Sequence, residues 1–153
     1  MSRARLIVPV LVAASALAVA ACGGDTEEKN DYVDQVNEVT TTLNKGLTEV
    51  SSGAAATSPE EASTVFADFG AQLDKAAADI EGIDPPEDVA DLHDQLVTEV
   101  KDLAATSTNA ADEIKAGGVA AVTGVATEFI AEATTASTEV DKTITEINSK
   151  LQE

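Results

Sequence analysis

The sequence predicts an all-α protein, an up-down-up-down antiparallel four-helix bundle, on three observations. Apolar residues recur at alternating spacings of three and four along four segments, the rhythm that keeps one helix face dry. The 9 Gly and 4 Pro in 153 residues fall at punctuation points, too few and too clustered for an all-β chain. Aromatic residues make up only 3%, namely Tyr32, Phe66, Phe69 and Phe129 with no Trp, so the core is expected to be Ala, Val, Leu and Ile. Such a core suits closely spaced helices. Two rival assemblies fit the same pattern: a three-helix bundle with one helix detached, or a dimer that completes the core.

The chain opens with Met1-Ser2-Arg3-Ala4-Arg5, a short basic stretch, followed by an apolar run from Leu6 to Ala18 broken only by Pro9 and Ser15. As a helix that run is roughly 20 Å long, short of the ~30 Å hydrocarbon core of a bilayer. It has the length of the apolar part of an export signal instead. Val19, Ala20, Ala21 and Cys22 come next, and this set resembles the lipobox of bacterial lipoproteins. The resemblance implies cleavage before Cys22 and a thioether-linked diacylglycerol on its sulfur. Small side chains before the cut let the backbone enter the peptidase site, and only a thiol takes the lipid. An ordinary signal with an Ala-x-Ala cut, or an uncleaved anchor, is the competing reading. The expected division is a signal peptide over 1–21, a lipidated Cys22 with a flexible tether over 22–27, and a helical domain over 28–153. Chain scaling gives that tether a reach of about 10–15 Å.

The first helix is expected from about Glu28 to Val50, with a stripe of Val36, Val39, Leu43, Leu47 and Val50; Ser51-Ser52-Gly53 ends it. Ser58-Pro59-Glu60-Glu61 opens the second, with Ser58 as N-cap, Pro59 at the first helical position and Glu61 reaching back to the Ser58 N–H. Its stripe reads Ala62, Phe66, Phe69, Leu73, Ala76, Ile80 and Ile83, a heptad seam. In Asp84-Pro85-Pro86-Glu87 the prolines force an exit from the helix, and Asp84 is expected to cap the next one. The third helix shows Val89, Leu92, Leu96, Val100 and Leu103, thins across Thr106–Asn109, and resumes at Ala110 and Ile114. Gly117-Gly118 separates it from a fourth, with Val122, Ala126, Phe129, Ala133, Ala136, Val140, Ile144, Ile147 and Leu151. Short connections favour antiparallel neighbours.

Charge excludes some partners. Both arginines, Arg3 and Arg5, lie in the leader, so the rest carries 7 Lys against 28 Asp and Glu, a formal charge of −21. Such a domain repels phosphate backbones and anionic headgroups, which argues against nucleic acid or a helix lying on the membrane. With a single Cys no internal disulfide forms, and stability has to come from the core.

Residues for catalysis are not legible. His93 is the only histidine, and it sits beside the stripe, where a ring covers the core and keeps one nitrogen wet. A di-iron bundle site needs Glu-x-x-His pairs, but position 90 is Ala. Haem and zinc lack their ligands, and no cofactor is expected. No Gly-x-Ser-x-Gly elbow occurs. Asp84, Glu87, Asp88 and Asp91 are the nearest approach to a calcium set, without the EF-hand pattern; acids at a helix start also complement its dipole. Gly124 reads as a close-packing point between helices. The threonines Thr40–Thr42, Thr134, Thr135, Thr138, Thr143 and Thr145 would be glycan acceptors in bacteria that mannosylate exported proteins.

Val19–Asp25 together with Pro85–His93, a Pro-Pro-Glu-Asp-x-x-Asp-Leu-His helix start, resembles small uncharacterised helical lipoproteins of actinobacteria. That resemblance implies an extracytoplasmic, membrane-anchored protein and no activity. The expected function is a non-enzymatic binding or assembly module that meets another envelope protein. The alternative is a small-ligand carrier with a cavity between helices.

Overall fold

The computed structural model describes residues 25–53 and 58–152, which form four α-helices and a single 3-10 turn, with no strand among them. Helix α1 is Asp25–Gly53, α2 is Pro59–Glu81, α3 is Ala90–Gly117 and α4 is Val119–Lys150, with the turn at Glu87–Val89 before α3. The fold is an all-α four-helix bundle. Contacts between helices set the direction of each. Ser63 bonds the Ala111 carbonyl, Ser107 bonds that of Phe66, and Lys101 meets Glu81, so α3 runs against α2. Lys150 lies over the Asp88 carbonyl while Thr143 meets Glu99, so α4 runs against α3. Gly46 abuts Phe69 and Val39 shares a groove with Ile80, so α1 runs against α2. Each helix packs on its sequence neighbours, and α1 closes the ring on α4. The result is the up-down-up-down order expected of short connections.

Helix α1 starts at Asp25, three residues before the expected Glu28, so Asp25, Thr26 and Glu27 belong to the helix and not to the tether. Its stripe also includes Tyr32, buried like Val36, Val39, Leu43 and Val50, whereas Leu47 is half-buried.

The α2 start is as read. Ser58 sits in an extended conformation and its Oγ accepts from the Glu61 N–H at 3.4 Å. The expected return bond from Glu61 is replaced: the Ser58 hydroxyl donates to Glu60 Oε2 at 2.8 Å and holds the Glu60 carboxyl below its ordinary pKa. Further along, Ala77 is buried in place of Ala76. The buried positions 62, 66, 69, 73, 77 and 80 step by four, three, four, four and three, the period of a straight helix rather than a strict heptad.

Asp84 does not cap α3. Pro85 forces Asp84 out of helical dihedrals, and Pro86 itself is extended (φ −55°, ψ 142°), so the Asp84 carboxylate is left behind. Instead Val89 N–H bonds the Pro86 carbonyl at 3.0 Å, and the 3-10 turn leads into α3 at Ala90. Beyond it α3 is continuous through Thr106–Asn109. Ser107 turns inward there and donates to the Phe66 carbonyl at 2.7 Å. The Gly117-Gly118 break holds, with Gly118 at φ 63° making the turn into α4.

Candidate functional site

Cys22 and the lipobox residues Val19, Ala20 and Ala21 lie outside the described residues, as do the rest of the leader and Gly23-Gly24. No described helix is long and apolar enough to cross a membrane.

Within the bundle, α3 builds the most polar core. Its buried face widens to three residues in seven: Leu96, Val97 and Val100, then Leu103, Ala104 and Ser107, then Ala110, Ala111 and Ile114. One column of that face holds His93, Val100, Ser107 and Ile114, seven residues apart, and both of its polar members bond another helix. Ser107 reaches α2, as above. His93 reaches α1: its Nδ1 lies 3.2 Å from the Tyr32 hydroxyl, with ring centroids 5.9 Å apart. His93 is 4% exposed and Tyr32 is 2% exposed, so the ring lies within the core, with the half-buried Leu92 beside it. The partner comes from 61 residues away in sequence, which no reading of one helix face supplies. Burial holds the His93 pKa below its ordinary 6.5, against the opposing pull of Asp94 and Glu81. Burial also pushes the Tyr32 phenol up to about 12. At neutral pH Tyr32 therefore stays protonated and faces a neutral ring.

The second polar cluster lies between α3 and α4. Gln95 Nε2 donates to Glu99 Oε1 at 2.7 Å and to Thr143 Oγ1 at 3.2 Å, and Thr143 donates to Glu99 Oε1 at 3.0 Å. Glu99 Oε2 is buried with no hydrogen-bond partner among the described residues. Glu99 borders a groove of about 110 Å³ with Asp102, Leu103, Thr106, Glu132, Ala136 and Glu139. Four carboxylates and no Lys or Arg line it, so its field attracts cations and repels anions. A second groove of about 80 Å³ runs between α1 and α2 past Gln35, Glu38, Val39 and Ile80. Pockets that enclose organic ligands run about 300–1,000 Å³, so both grooves are surface features. Helix stripes alone missed Glu99, because it lies between two of them.

Asp84, Glu87, Asp88 and Asp91 are all exposed, and no group of three or more His, Cys, Asp or Glu among the described residues is placed to hold a metal. These side chains point into water around the start of α3, where they complement its dipole. Gly124 is corrected, being exposed with nothing within 4 Å of an added Cβ. The close approaches are at Gly46, against Phe69, and Gly70, against Thr108 and Ala104. Of the threonines, Thr143 is buried, while Thr134, Thr135, Thr138 and Thr145 each bond the carbonyl four residues back.

No family model, no curated protein and no solved structure matches the chain.

Proposed function

We propose that the protein is a lipid-anchored, non-enzymatic binding or assembly module on the extracytoplasmic face of the cell membrane, acting on another envelope component. One observation carries the reading: a basic start, an apolar run and Val19-Ala20-Ala21-Cys22 stand in order before an acidic helical domain. Two or three acyl chains at Cys22 anchor stably where one is marginal. The small size of both grooves favours a surface that meets a partner over an enclosed ligand. A lining of Glu99, Asp102, Glu132 and Glu139 in the α3–α4 groove favours a cationic partner.

The anchor is tested in the native host. Wild-type protein should incorporate an alkyne-palmitate label, and Cys22→Ser should remain an unlabelled precursor. A labelled mutant, or a bare thiol on the mature wild-type protein, would overturn the anchor. The binding role is tested by crosslinking in cells. A partner recovered with wild type but lost with Glu132→Gln/Glu139→Gln supports it, and equal recovery with both removes the groove from the reading.

A further inference from the structure

His93 is the only titratable side chain buried in the described core besides Tyr32, and the two face one another. They also join the two helices that have least else in common. Helices α1 and α3 lie across the diagonal of the bundle, with no Cα pair within 8 Å among the described residues. Helix α3 packs on both α2 and α4, while among the described residues the first half of α1 is buried at Tyr32, Val36 and Val39. Its second half is buried at Leu43, at Gly46 against Phe69, and at Val50.

We propose that the Tyr32–His93 contact is an acid-operated latch: protonation of His93 releases the first half of α1 from the other three helices. With the proton on Nε2, the neutral ring accepts the phenol O–H at Nδ1. The protonated ring donates from Nδ1 to the phenol oxygen instead, so the phenol O–H loses its acceptor. A positive charge is left in an apolar interior, where burial penalises it.

Among the described residues, the carboxylates whose field reaches the ring are Asp94 and Glu81. From α2, Glu81 is already paired with Lys101 at 2.8 Å, and from α3 itself Asp94 is exposed. From α4, the terminal Lys150 lies over the Asp88 carbonyl. The folded ring holds its proton less readily than a ring in water, so the open form binds more protons below pH 6.5. Opening is therefore favoured as pH falls through the window below 6.5 and is pH-independent above it. The latch stands on the core alone and does not depend on the anchor at Cys22.

The test is hydrogen exchange on the full chain in zwitterionic detergent, at pH 7.5 and 5.5, corrected for the intrinsic chemical rate. Amides from Tyr32 to Val39 should open more often at the lower pH, by up to roughly tenfold per pH unit. Those of α3 and α4 should hold. His93→Gln should abolish the acid response. The same response in His93→Gln, or opening of α3 together with α1 in wild type, overturns the latch. A reading that needs no variant is proton NMR of the single histidine. Its ring signal and the amide signals of Tyr32–Val39 should titrate with one midpoint, and separate midpoints overturn the proposal.

Discussion

A Cβ added at Gly46 would lie 2.1 Å from two atoms of the Phe69 ring, which is itself wedged edge-on against Phe129. The Phe69 ring would have to shift to admit it, so Gly46 is what lets α1 lie close on α2. Gly46→Ala should destabilise by about 1–3 kcal/mol through overpacking, despite the gain in helix propensity. Gly124 is also inside a helix, but an added Cβ there meets nothing within 4 Å. Gly124→Ala should stabilise by about 0.5–1 kcal/mol, because the glycine only costs backbone entropy. Urea melts of the two variants should move in opposite directions, and movement in the same direction would contradict the packing at Gly46. Leu73 is 0% exposed in the middle of α2. Leu73→Ala should cost about 2–4 kcal/mol through lost transfer energy plus a cavity, and an unchanged melt would place Leu73 outside the core.

At the scale of the element, the helices were legible where local chemistry decides them. Ser58-Pro59-Glu60-Glu61 names a helix start by residue type, and the Ser58 cap is found. Replacing Ser58 with Ala should cost about 1 kcal/mol, read as an earlier thermal transition with α2 amides exchanging faster at their first turn. The start of α3 was not legible, because two successive prolines displace the turn by a distance that no propensity encodes. The middle of α3 reads as a weak, polar stretch within one helix, and the structure shows what supports it. Thr106, Ser107, Thr108 and Asn109 are polar, and polar residues weaken a stripe. Yet Ser107 pays its desolvation with a bond to the Phe66 carbonyl, while Thr106 and Thr108 bond back to Asp102 and Ala104. His93 and Ser107 thus share one column of α3 and each fixes a different neighbour. Polar groups at core positions penalise slipped registers, in which they would be buried without partners.

For the whole molecule, charge is the dominant surface property. Among the described residues four ion pairs, Lys45–Glu49, Lys75–Asp79, Lys101–Glu81 and Lys142–Glu146, account for only a few of the acids, and all four are exposed. Exposed pairs contribute about 0–1 kcal/mol each, so what remains is mutual repulsion among unpaired carboxylates. Added salt screens that repulsion, with a Debye length near 10 Å at 0.1 M. Raising NaCl from 10 to 500 mM should raise the melting temperature of the full chain by several degrees. A fall would mean that the four pairs outweigh the repulsion. The same field draws cationic partners toward the molecule, most directly at the α3–α4 groove.

By itself the sequence determined the number of helices, their order, most of the faces they bury and the acidity of the surface. Each of these follows from local spacing and residue type, which act over a turn or two of chain. The export and lipidation reading rests on such a local pattern too, at Val19–Cys22. Only the tertiary structure decided what meets across the bundle: Tyr32 against His93, Ser107 against Phe66, Glu99 with Thr143, and Gly46 beneath Phe69. Those partners lie tens of residues apart, and their pairing depends on the rotation and register of whole helices. Apolar periodicity sets a face to within about one residue, and one residue turns a helix by about 100°, enough to exchange a wet side chain for a buried one. That is how Ala76 gave way to Ala77, and how a histidine read at the rim of the core came to lie within it.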